Sequence, residues 1–300
     1  MDSDSQTTWL GASSILFATA HRPWPLPDSQ WAMTQTWNDL LFMHYAIEPA
    51  VLRALVPDVL TLDLYEGNAW LSITPFWISN LRPPGLPSVP IVSRFPELNV
   101  RTYATYEGKP GVYFFSLDAG SLSAVWGARM FYRLPYWHAA MKVKVRAASA
   151  RASEPEILTD ASPSAVSSRS AFPIADVGYP GREEHVTELE YSCRRIHGPK
   201  TGKQMPQFRG VYAPVAPAKP ATPGSLSEFL AERYCLYAWN RGRLYRAEIH
   251  HLPWPLQMAD ADLEINTMAA PVGIALPEHP DLMHFSRSIK VLIWGPERLL

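Results

Sequence analysis

Proline constrains this chain more than any other residue: 29 of its 300 positions are proline, scattered along the length, about twice ordinary usage. Each one removes a backbone donor and breaks a helix interior at a cost of ~3 kcal/mol or more. A bundle of long helices is therefore disfavoured, and the expected chain is a series of short strands joined by ordered loops. With 47% hydrophobic and 12% aromatic residues, those strands have ample material for a core. Three hundred residues can close as one large β domain.

Residues 1–30 are rich in Ser, Thr and Pro and lack a sustained period. They predict a flexible N-terminal arm, or a strap along the surface, ahead of a single domain over 31–300. Within that domain Glu48–Leu55 reads as a short helix, with Pro49 in its first turn and Pro57 as its stop. Leu60–Tyr65 and Ala69–Trp77 alternate apolar and polar about Glu66-Gly67-Asn68, which predicts a hairpin. Pro96–Tyr106 and Val112–Asp118 predict a second, through Glu107–Gly111. Leu122, Val125, Ala128 and Phe131 have helical spacing, so Ser121–Tyr132 is an expected helix. After Leu134-Pro135 the period changes to two: Met141, Val143 and Val145 share one face, and Lys142, Lys144 and Arg146 the other.

Residues 147–182, poor in large apolar groups, predict a variable excursion with short strands over 156–159 and 165–169. Val186–Ile196 is a further strand, and Pro199–Pro223 a long loop holding one more near Phe208–Tyr212. Ser225 and Glu228 have capping-box spacing, which places a helix over Ser225–Arg233. Tyr234–Trp239 and Arg243–His250 form a third predicted hairpin about Asn240-Arg241-Gly242, and His284–Trp294 is the closing strand. The fold class these elements imply is α+β, mainly β: an antiparallel barrel or sandwich with a few short helices outside.

Several function classes fall away. Basic and acidic side chains balance at 27 against 28, so no broad basic surface for nucleic acid is expected. No G-x-G-x-x-G or Walker loop occurs. His250 and His251 are adjacent and would face opposite ways on a strand, with no H-E-x-x-H nearby, so neither a metal nor a cofactor is expected. No apolar run reaches the ~18 residues of a membrane helix. The start of the chain, with Asp2 and Asp4 and no early basic residue, is a poor signal peptide. The only cysteines, Cys193 and Cys235, form no C-x-x-C pair, and a cytoplasmic location is expected.

Seven blocks of sequence carry a family resemblance. Trp37–Tyr45, Gly67–Trp70 with Pro75-Phe76, Phe95–Tyr103, Gly111–Ala119, Leu134-Pro135-Tyr136, Phe229–Tyr237 and His251–Leu256 together resemble the YqjF-like family. That uncharacterised bacterial group is placed with the acetoacetate-decarboxylase-like proteins, and the resemblance spans roughly residues 31–295. It implies an antiparallel β barrel or cone around a small, partly apolar cavity. In the decarboxylase a lysine, its pKa lowered by a neighbouring cation and by desolvation, attacks a β-keto acid to form an iminium. Matching Gly127, Arg129 and Pro135 to that pattern puts Tyr136 at the nucleophile's position and Trp137 at its partner's. Neither forms an imine, so decarboxylation by that route is not expected.

Other side chains supply alternatives. Tyr136 and His138 are two residues apart and share a strand face, as a proton-transfer pair would. Glu97, Asn99, Arg101 and Tyr103 share another face, on which Arg101 is suited to a substrate carboxylate and Glu97 to acid or base work; equally, Arg101 pairs with Glu97 or Asp118 to tie strands together. Arg233 sits at a helix end, as a cap or a ligand contact, and Trp254 lies between two prolines as a rigid plug. The expected partner is a small organic acid or keto compound bound inside the barrel, with a homo-oligomer left open. Lysine-independent proton transfer by Tyr136, His138 or Glu97, a non-catalytic binding or sensing module, and a scaffold with a solid core are the readings this leaves.

Overall fold

A computed structural model describes residues 15–88, 93–147, 187–202 and 204–300; the excursion expected beyond residue 147 lies outside them. Its strands are β1 Met33–Ile47, β2 Thr61–Leu62, β3 Ala69–Arg82, β4 Phe95–Tyr106, β5 Lys109–Ala119, β6 Tyr136–Ala147 and β7 Thr187–Arg195. They continue with β8 Gln207–Pro214, β9 Cys235–Asn240, β10 Arg243–His250, β11 Gln257–Asn266, β12 Leu282–Ile293 and β13 Glu297–Arg298. Three short α-helices lie between them, α1 Pro49–Arg53, α2 Leu122–Gly127 and α3 Leu226–Ala231. The neighbour order β5-β6-β7-β8-β11-β12-β1-β3-β4 returns to β5 through the β4–β5 ladder, so the sheet closes on itself. Strands β9 and β10 connect β5 to β12 by a second path. Among the described residues only β5–β6 and β5–β9 pair in parallel. The result is a mainly β, α+β cone with its short helices outside, and closure leaves few edges for other chains to pair with.

Two turns needed residues that tolerate a left-handed backbone. Glu107 (φ 48°) and Gly108 (φ 73°) join β4 to β5, and Arg241 (φ 52°) and Gly242 (φ 75°) join β9 to β10, the primed geometry that suits tight hairpins. The first predicted hairpin is different. Tyr65 and Asn68 make a single bridge, and β2 pairs with β4 instead of β3, because both edges of β3 are taken by β1 and β4. The helix expected over Ser121–Tyr132 is α-helical to Gly127 and then widens into a π-helical turn over Ala128–Tyr132, ending at Arg133 with φ 56°.

Residues 15–31 form a strap across the outside of β10 and β12. Ile15 packs with Leu292 and Trp294. The Arg22 guanidinium donates to the Ile249 carbonyl (2.6 Å) and to Glu248 (3.1 Å), and the Trp24 indole donates to the same carboxylate at 2.7 Å. Behind the strap lie four buried clusters, of which two frame the site. One cluster gathers Tyr45, Leu71, Val100, Tyr191, Phe208 and Phe285 into a filled core. The other, around Phe42, Phe76, Phe95, Ile249, Trp254 and Ile293, forms part of the wall of a cavity. No helix among the described residues is long and apolar enough to cross a membrane.

Candidate functional site

The cavity has a volume of about 290 Å³, so the interior is not packed solid. Its polar wall is one face of β4. Phe95, Glu97, Asn99 and Arg101 alternate into it, spaced two residues apart as strand geometry requires. The antiparallel ladder sets β3 residues beside them: Thr74 opposite Asn99, Phe76 opposite Glu97 and Ile78 opposite Phe95. The start of β6 supplies Tyr136, and α2 with the π-helical turn contributes Ser123, Ala124 and Tyr132.

Glu97 is 3% exposed, and its carboxyl accepts a hydrogen bond from the Tyr136 hydroxyl at 2.8 Å. Burial pushes its pKa up to about 8, with Asp118 adding to the rise and the Tyr136 hydrogen bond opposing it. Glu97 is therefore mostly an uncharged acid at neutral pH and ionises just above it. The Tyr136 phenol is held well above its ordinary value, first by burial and then by Glu97, so it remains a donor.

Arg101 pairs with neither Glu97 nor Asp118. Asp118 is taken by Arg195 in a fully buried two-pronged ion pair, 2.7 Å at each oxygen. Arg101 has no ion-pair partner among the described residues. Its guanidinium lies 5.1 Å from the Phe42 ring centroid, and burial lowers its pKa while the neighbouring Tyr103 phenol favours its charge. The Arg101 Nε, Asn99 Oδ1, Thr74 Oγ1, Trp254 Nε1 and Tyr132 hydroxyl are all buried with no hydrogen-bond partner among the described residues, and all five residues line this cavity. Buried polar groups are nearly always satisfied, and leaving one unmet costs ~1–3 kcal/mol. Five such residues around one cavity give it a wall whose polar groups the protein itself leaves unsatisfied.

The remaining sequence candidates separate. Arg233 lines the cavity but is occupied: its Nε donates to the Phe229 carbonyl of α3 at 2.7 Å, its Nη1 to Asp63, and its plane stacks on Phe229 and Tyr103. It therefore caps the helix end and walls the cavity at once. Trp254 is 2% exposed and packs edge-on to Phe42, ring centroids 5.0 Å apart. Tyr103 lies behind the cavity wall, its hydroxyl 2.6 Å from Ser72 Oγ; the β4–β5 register shift falls between Val100 and Arg101. His138 is not among the lining residues; its ring sits 6.4 Å from that of His197. His250 and His251 do diverge: His250 bonds the strap at the Ile15 carbonyl (2.7 Å), and His251 lines the cavity. Lys142 is exposed on β6. No cluster able to hold a metal ion occurs among the described residues.

The sequence reading omitted Thr74, Trp37 and Tyr132 from the site. Thr74 was the one with a signal, since a β3–β4 ladder in register puts it beside Asn99. From Tyr103 a row runs on through Ser72, His44 and His284, all buried, to the partly buried Ser227, at 2.6, 2.6, 3.3 and 3.0 Å; the last four carried no sequence signal. Burial holds His284 down at about 4 and His44 well below its ordinary value, the latter further lowered by His284 and Arg101.

Residues 34–290 match the model of a family of uncharacterized conserved proteins, DUF2071. The chain belongs to the DUF2071 family. Within it, the uncharacterized protein YqjF of Bacillus subtilis (strain 168) is 40% identical over 269 residues, 90% of this chain and 93% of YqjF. Among solved structures, the enduracididine biosynthesis enzyme MppR complexed with pyruvate superposes with a TM-score of 0.52 at 12% identity, over 93% of each chain. Acetoacetate decarboxylase from Legionella pneumophila superposes with a TM-score of 0.51 at 12% identity, over 94% of each chain. These likenesses establish that this DUF2071 member has the acetoacetate-decarboxylase-like fold, as its sequence blocks implied.

Proposed function

We propose that this protein binds a small organic acid or keto compound in the β4-walled cavity and assists proton transfer on it without a lysine. The observation that carries the reading is the pairing of an unneutralised Arg101 with the Glu97–Tyr136 hydrogen bond on the same cavity wall. A guanidinium in a water-poor site favours an anionic partner, and a carboxyl titrating near neutrality serves as both acid and base. In an enolisation, Glu97 as carboxylate takes the proton from the carbon beside the carbonyl, the C–H electron pair forms the enolate C=C bond, and the C=O π pair moves onto oxygen. Tyr136, whose single O–H bonds Glu97 in the resting state, is released as that carboxylate is neutralised and donates to the oxygen that gains charge. Tyr136 replaces a nucleophile in this scheme, and no imine forms. MppR, of like fold, has been solved with pyruvate bound, which is in keeping with an organic acid here. A cytoplasmic site of action fits the two free, buried cysteines.

The test is solvent-deuterium exchange at C3 of 2-oxobutyrate and 2-oxooctanoate, followed by proton NMR. Exchange that rises with pH through a midpoint near 8 and is lost in Glu97→Gln is the expected result. Binding without exchange would sink the catalytic part and leave a binding or sensing module.

A further inference from the structure

We propose that the occupant is a monocarboxylate with an apolar body, a chain or ring of about six to ten carbons, its carboxylate at Arg101 and its body toward Phe95. The inference rests on the organic-acid reading above and gives it a size, a charge and a direction. Direction comes from the strand ladder. Along β4 the wall passes from Arg101, through Asn99 with Thr74 and Glu97 with Phe76, to Phe95 with Ile78. That is six residues, roughly 20 Å at strand rise. The far end adds Met33 and Leu81; its polar residue Gln35 is spent on Met33 and Trp37, and it has no charged side chain to meet a second charge on the ligand.

The Arg101 end has the opposite character. The guanidinium packs over Phe42, 5.1 Å from its ring centroid, lines the cavity and has no ion-pair partner among the described residues. A planar guanidinium's donors match a carboxylate's oxygens. The other cavity-lining cation, Arg233, is already paired with Asp63. His251 is held down at about 4, chiefly by burial, and so is neutral. One positive charge is thus left for the ligand to meet, which favours a monoanion over a dicarboxylate or phosphate. A two- to four-carbon keto acid would meet Arg101 but leave the Phe95, Ile78 and Leu81 end uncovered.

Calorimetric titration of the full chain with straight-chain acids from acetate to decanoate tests this directly. Burying one methylene contributes ~0.8 kcal/mol, which converts to roughly fourfold in affinity for each added carbon until the apolar end is filled. Octanamide, equal in shape but uncharged, should bind at least tenfold more weakly than octanoate. Arg101→Met should abolish that preference. Ile78→Trp, placed at the far end, should end the chain-length gain several carbons earlier; melting curves confirm that each variant folds. Equal affinity for pyruvate, 2-oxobutyrate and octanoate would overturn the apolar body while the organic-acid reading survives. Equal binding of octanoate and octanamide would overturn the anionic head. If no acid binds to the folded wild type, both fall.

Discussion

Replacing Glu97 by glutamine should change how stability depends on pH, and the sign follows from burial. The unfolded carboxyl titrates at 4.5 and the buried one at about 8. Between those values the native state holds a proton that the unfolded state has released, so stability falls as pH rises. One unit of pKa corresponds to about 1.4 kcal/mol. Integrated from pH 6 to pH 8, where the native carboxyl goes from almost fully to half protonated, the wild type should lose ~2 kcal/mol through this residue alone. Glutamine keeps the shape and the neutral state at every pH, so Glu97→Gln should lack that slope. Buried histidines such as His251 and His284, held at about 4, contribute at lower pH and cancel in the difference between the two proteins. Urea unfolding at pH 6, 7 and 8 measures it. Parallel slopes for wild type and variant would mean that Glu97 is ionised throughout, and the acid–base reading of the cavity would lose its foundation.

Other expectations concern the frame that holds Tyr136. Arg195→Leu strands the Asp118 carboxylate, 0% exposed on its side chain, and should destabilise by ~3–5 kcal/mol; a loss below ~1 kcal/mol in urea titration would show that the pair is not desolvated. Gly198→Ala should lower the melting temperature, because Gly198 sits at φ +111° and a Cβ there would lie 2.3 Å from Trp137 Cε3, overpacking worth ~1–3 kcal/mol; an unchanged melt contradicts that contact. Incubation with acetoacetate and borohydride should leave the intact mass unchanged. A stable adduct on Lys142 or Lys144 would restore imine chemistry.

The hairpins and helix starts were legible because each is written locally. Gly108, Gly242 and the Ser225–Glu228 capping box carry their own geometry. Strand β1 was not legible: it is buried over most of its length, so it shows no alternation, and it bends at Asp39 (φ 48°), where its register with β3 shifts. Strand β11 did carry a signal, the strict apolar–polar alternation from Ala259 to Asn266 that places it beside β8. Of the site, the β4 face could be read from period two alone. What could not be read was the choice between alternatives: that Asp118 would find Arg195 and leave Arg101 free depends on β7, far along the chain. His138 shares its spacing with Tyr136, yet the cavity reaches only Tyr136.

A crystal structure of the octanoate complex tests the central claim most directly. The account predicts the carboxylate within hydrogen-bond distance of the Arg101 guanidinium, and the chain running past Glu97 toward Phe95 and Ile78. A cavity without octanoate at saturating concentration, or octanoate lying with its carboxylate at the Phe95 end, would contradict it.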